Sequence, residues 1–153
     1  VVGSHQTGLQ GITISPDGEG FKAEPVWKNI EAQPNITHGV RVGGHYYGIG
    51  DPAKLVCVDI ATGKTAWSDN SLFFPDPKRA MAAFIVMGKN ILTLSSGGEL
   101  CLFEASPTEF NELGRTQVCG INWCMPAYVD GRLFVRDGIK KKGGNLICLD
   151  LTD

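Results

Sequence analysis

Three short segments constrain this chain more than any other feature. Leu55-Val56-Cys57-Val58-Asp59, Leu100-Cys101-Leu102-Phe103-Glu104 and Leu146-Ile147-Cys148-Leu149-Asp150 are near-copies of one another, and they begin 45 and 46 residues apart. Each is an apolar run closed by a carboxylate. Such a run is short for a helix and reads as a buried strand. Hairpin glycines keep the same spacing: Gly44, Gly88 and Gly131 lie 44 and 43 residues apart. A fixed period with short strands means one supersecondary unit repeated along the chain, each copy burying its apolar faces against its neighbours.

The chain divides on this period. Residues 1 to 28 are the tail of one unit, with strands at Gly8 to Ser15 and Phe21 to Trp27 around a Pro16-Asp17-Gly18 turn. Pro25 marks the latter as an edge strand, because proline cannot donate to a ladder. Residues 38 to 67 form a complete unit, with strands at His38 to Val42, His45 to Gly50, Leu55 to Ile60 and Thr65 to Trp67. Residues 82 to 118 form another, with strands at Ala82 to Met87, Ile91 to Ser95, Leu100 to Ala105 and one within Phe110 to Val118. Residues 125 to 151 supply three strands of a last, partial unit: Ala127 to Val129, Arg132 to Arg136 and Leu146 to Leu151. The 20 glycines and 8 prolines suit many short strands and turns better than long helices. Four strands in ~40–50 residues is the period of a propeller blade. The fold class is therefore all-β: about three β-propeller blades of four antiparallel strands, an incomplete ring within one domain.

Asp59, Thr62 and Gly63 are read as a turn held by side-chain hydrogen bonds and by a positive φ at the glycine. Trp27 and Trp67 each end a fourth strand. They are read as inter-blade packing, since docking an indole removes a large apolar area from water. The pattern Asp59-x-x-Thr62-Gly63-Lys64-x-x-Trp67 after an apolar strand resembles the blade signature of the quinoprotein-type, or PQQ-like, β-propellers. In that family the turn between third and fourth strands carries Thr-Gly, and the Trp docks on the next blade. The third strand of the next unit is followed by Ser106-Pro107-Thr108, so the Thr-Gly pair is lost there. The resemblance implies a C-terminal portion of a longer bacterial propeller.

Closed propellers use ~4–8 blades, and an open array leaves bare edges and apolar faces. The expected partner is the rest of the ring, supplied by further polypeptide or by a second chain. The formal charge of −2 gives no reason to expect nucleic acid. The longest apolar run, Ala80 to Met87, is far shorter than the ~20 residues of a membrane span.

Five cysteines cannot all pair within one chain. Cys57, Cys101 and Cys148 occupy nearly equivalent strand positions on different sheets, so they read as small core residues that do not meet as metal ligands. Cys119 and Cys124 bracket a short loop and are open to two readings, a local disulfide or two free thiols. His5, His38 and His45 lack the spacing of a zinc pair, and no metal site is expected. Lys140-Lys141-Lys142 reads as a solvated loop tip, and Asn35-Ile36-Thr37 fits a glycosylation sequon.

Propellers bind at the face made by loops between blades and between second and third strands. On that map the candidate ligand-binding residues are His38, Arg79, Asn122, Trp123 and Arg136. Two arginines and an exposed indole suit an anionic or aromatic group, on a small molecule or a protein partner. No catalytic residue is assigned. The resemblance extends to a non-catalytic binding or scaffold branch, which includes a lipoprotein that helps assemble bacterial outer-membrane proteins. It implies a periplasmic or extracellular place at the cell envelope and no cofactor. The alternative is a fragment of a dehydrogenase using PQQ and calcium. That reading asks for adjacent paired cysteines, a calcium site of carboxylate and amide oxygens and a catalytic Asp, and this stretch has no Cys-Cys and no such cluster. A glycosidase would need two facing carboxylates, and Glu99, Glu104, Glu109 and Glu112 have no evident partner across a channel.

Overall fold

In the computed structural model of the chain, residues 1–4, 6–34, 37–72, 74–138 and 144–152 are described, with Arg79 described by its backbone alone. The expected lysine loop tip and the Asn35 sequon fall outside these residues, as does His5.

The described residues form four antiparallel sheets and no α-helix. The first holds β1 (Val2–Ser4), β2 (Gly8–Asp17) and β3 (Gly20–Asn29). The second holds β4 (Val40–Val42), β5 (His45–Gly50), β6 (Lys54–Asp59) and β7 (Thr65–Asp69). The third holds β8 (Ala82–Met87), β9 (Asn90–Ser95), β10 (Glu99–Glu104) and β11 (Asn111–Gln117). The fourth holds β12 (Ala127–Val129), β13 (Arg132–Arg136) and β14 (Leu146–Asp150). Within each sheet, strands pair in chain order. These are β-propeller blades in an incomplete array.

The burial pattern shows why the third strands lack alternation. In β6, Leu55, Val56, Cys57 and Val58 are all buried. Leu55 and Cys57 pack with Phe84, Ile91, Cys101 and Phe103 of the third sheet, whereas Val56 and Val58 pack with Leu9 and Trp27 of the first. A sheet covered on both faces needs apolar residues at every position. The third sheet is sandwiched likewise: Leu92, Leu94 and Leu100 face Leu133 and Val135 of the fourth. In β14 only alternate residues are partly covered, and β3 is almost wholly exposed.

One backbone contact repeats with the blades. Ile60, Ala105 and Leu151, each just past a third strand, donate their N–H to Gly44, Lys89 and Gly131 at 2.9, 2.9 and 2.7 Å. The turn after β6 is closed by Thr62 N–H donating to Asp59 Oδ1 at 2.9 Å and Gly63 N–H donating to Asp59 O at 2.8 Å. Backbone donation by Thr62 holds the Asp59 carboxyl below the usual carboxylate range.

Each complete outer strand carries a bulge, and a docking position follows it. The register slips between Gly11 and Ile12, between Cys57 and Val58, and between Leu102 and Phe103. Trp27 then pairs with Gly11 and Trp67 with Cys57. Trp27 Nε1–H donates to Ile60 O at 2.8 Å, and Trp67 Nε1–H donates to Ser106 O at 2.8 Å. Both indoles thus reach the turn of the following blade.

The structure departs from the sequence reading in three places. Pro16 lies within β2, paired with Phe21, so this hairpin is longer than expected and turns at Gly18 and Glu19. The strand expected from His38 starts at Val40; Gly39 before it lies against the Tyr46 ring, where a Cβ would come within 2.3 Å of it. Cys57 and Cys101 are buried in one core as expected, but Cys148, also read as a core residue, is exposed, because no described element covers its face of the fourth sheet. All five thiols are unbridged. Burial pushes the Cys57 and Cys101 thiols up to about 11.

Candidate functional site

Two clefts adjoin the start of the second blade. The larger, of about 570 Å³, lies between the first and second sheets and is lined by Val2, Leu9, His38, Arg41, Tyr46 and Ile60, among others. Pro34, Thr37 and Gly39 also line it. The smaller, of about 110 Å³, is lined by Thr37, Met81, Ala82, Ser96, Asn122 and Trp123, with Cys124 and Met125. Thr37 belongs to both, so the clefts meet at one residue.

The larger cleft has an apolar floor and a basic rim. His38 and Arg41 are exposed, and Arg41 Nε–H donates to Gly43 O at 3.0 Å, which fixes its stem and leaves the guanidinium end outward. Tyr46 is buried, and its hydroxyl has no hydrogen-bond partner of good geometry. Burial pushes this phenol up to about 12, and the nearby Gly39 backbone pulls it back only in part. Tyr46 was not singled out in the sequence, because Tyr46-Tyr47 reads as ordinary strand. Only the paired glycines around it, Gly39 and Gly48, hint at its crowding, since a Cβ on either would meet its ring at 2.3–2.6 Å.

The smaller cleft is built by the loop between β11 and β12. Asn122 is buried, and its Nδ2 donates to Ser95 O at 3.2 Å and to Gly120 O at 3.3 Å, while its N–H donates to Ser96 O at 3.1 Å. It pins the loop onto the end of β9 rather than presenting its amide nitrogen to a ligand. Asp137 secures the other side, accepting from Gly120 N–H at 3.0 Å. Between these anchors Trp123 stays 46% exposed and forms the cleft's aromatic wall.

The structure therefore brings His38, Asn122 and Trp123 to adjoining clefts. Arg136, exposed at the end of β13, lines neither cleft, and its Nε lies beside Gly144. Arg79 closes the short 3-10 turn Pro77–Arg79. Among the described residues, no cluster of three or more His, Cys, Asp or Glu is placed to hold a metal ion.

Sequence reasoning also passed over Asn29. Its side chain is buried, donates to Gly63 O at 2.8 Å and to Thr65 Oγ1 at 2.9 Å, and accepts from the N–H groups of Glu31 and Ala32. One amide thus ties the first blade to the second. The signal was present: Trp27-Lys28-Asn29 is echoed by Trp67-Ser68-Asp69, whose Asp69 likewise caps the next backbone through Ser71 N–H at 2.8 Å.

No protein-family model matches the chain. No curated protein sequence matches it either. Among solved structures, the crystal structure of BamB from Moraxella catarrhalis is similar, with a TM-score of 0.49 and 14% identity over 65% of this chain. The chain spans 28% of the length of that structure.

Proposed function

We propose that the chain is a non-catalytic binding or scaffold module of a PQQ-like β-propeller, which takes a protein partner at the adjoining clefts. The observation that carries this reading is the meeting of the two clefts at Thr37. It makes the cleft walled by an exposed indole a neighbour of the cleft rimmed by an exposed histidine and an exposed arginine. Exposed aromatic and basic groups around apolar ground suit an acidic peptide with an apolar anchor. An envelope location, and descent from the branch suggested by the Asp59 to Trp67 signature, belong to the same proposal.

A peptide library displayed on phage and selected on the chain tests it. Enriched peptides are expected to be acidic with a bulky apolar residue. Trp123→Ala should weaken them at least tenfold, about 1.4 kcal/mol, whereas Arg136→Ala should leave affinity within about twofold. Equal loss at both positions, or enrichment of none, would overturn the reading. The competing dehydrogenase reading predicts instead a saturable absorbance change with PQQ and calcium, and dye-linked oxidation of an alcohol.

The second part of the proposal concerns the ring. Val129 and Leu146 on the fourth sheet and Ile14 and Phe21 on the first are exposed. Apolar residues on the outer faces of both end sheets suit further blades, from the same polypeptide or from another copy. Gel filtration of this stretch alone should show association that rises with concentration. A monodisperse, well-folded monomer would count against it.

A further inference from the structure

We infer that the junction between the third and fourth blades is a binding site for a small, flat heteroaromatic ligand with an N–H donor, a ring of the indole class. The argument rests on the bulge register, independently of the clefts described above. Three outer strands carry a bulge, and the residue that follows it faces the next blade. At the first two junctions that residue is Trp27 and Trp67. At the third it is Gly114, paired with Leu102 just as Trp67 is paired with Cys57.

The glycine leaves the socket open. A Cβ on Gly114 would meet nothing within 4 Å, whereas the rings of Trp27 and Trp67 fill the corresponding space at their own junctions. A cleft of about 540 Å³ occupies this place. Leu92, Leu100 and Leu102 form its floor, and Leu151 of the fourth blade forms its far wall. This volume lies within the ~300–1,000 Å³ of small-molecule sites.

The two filled sockets define the chemistry of the empty one. Each holds a ring between apolar side chains and receives its N–H on a main-chain carbonyl just past the next third strand, Ile60 O or Ser106 O. The same position in the fourth blade is Leu151 or Thr152, since Leu151 repeats the backbone contact of Ile60 and Ala105. Asn90 also lines the cleft.

Titration of the chain with indole, followed by two-dimensional amide NMR, tests the inference. Saturable shifts are expected at Leu102, Gly114 and Leu151, with half-saturation at about a millimolar or below, as suits a ligand of so few atoms. Benzofuran, which lacks the N–H, should bind several-fold more weakly. Gly114→Trp should supply its own ring and weaken indole at least tenfold, whereas Gly114→Ala should leave it within about threefold. The wild-type shift map stands even if Gly114→Trp does not fold. Shifts that fail to saturate, that centre on another junction, or that persist in Gly114→Trp would overturn the inference. So would binding of a tryptophan-bearing peptide in the absence of indole binding, which would assign the socket to a protein partner.

Discussion

Trp67→Ala is expected to destabilise the chain by about 4 kcal/mol, the range for removing a large ring from a packed junction. The ring sits at the centre of an aromatic cluster. Its centroid lies 6.0 Å from Tyr47, 6.5 Å from Phe103 and 5.8 Å from Phe110, tilted or edge-on to each. Tyr47 comes from its own blade, whereas Phe103 and Phe110 come from the next, so truncation loosens the junction and not one sheet alone. The N–H bond to Ser106 O adds to this, because its loss leaves a carbonyl without its partner. Trp67→Phe keeps a ring and loses the donor, and should cost about 1–2 kcal/mol. Urea unfolding followed by far-UV circular dichroism measures both, since the fluorescence of the missing indole is then not needed. A loss below about 1 kcal/mol for Trp67→Ala would mean that the blades do not depend on this dock.

The size of that effect explains why the fold was legible from sequence. Burying Leu55, Val56, Cys57 and Val58 on two faces requires a continuous apolar run, and copying the blade copies the run. The indoles were legible for a similar reason: an isolated Trp at a strand end has few uses besides docking. What escaped reading depends on register. A bulge moves one residue out of step, and nothing in the local composition marks Val26, Ala66 or Leu113 as the residue skipped. Gly114 therefore looked like any strand glycine, although it takes the place of a tryptophan. Asn122 is polar and lies in a loop, which is all the sequence shows; that its Nδ2 donates to Ser95 and Gly120 depends on the fold. His38 was placed in a strand because the alternation allowed it. Only Gly39 and Gly48 mark the Tyr46 ring that lies against them, and the alternation alone does not show that the strand starts at Val40.

A single added methyl is expected to have a large effect at Gly63. Its φ of +73° lies in the left-handed region, and a Cβ there would come within 2.5 Å of the Trp27 ring. Gly88, in the tight turn between β8 and β9, offers a control at a similar backbone angle: its φ is +63°, but a Cβ would meet nothing within 4 Å. Gly88→Ala should therefore cost only the backbone term, about 1 kcal/mol. Gly63→Ala should cost that and the overpacking of a buried junction, about 3 kcal/mol together. The excess has a stated origin, so it can be removed. In a Trp27→Ala background the methyl has room, and Gly63→Ala should fall back to about 1 kcal/mol, a coupling of about 2 kcal/mol between residues on different blades. Equal costs for the two glycines, or an excess that survives the loss of Trp27, would show that the indole does not press on this turn, and the docking geometry of the first junction would have to be abandoned.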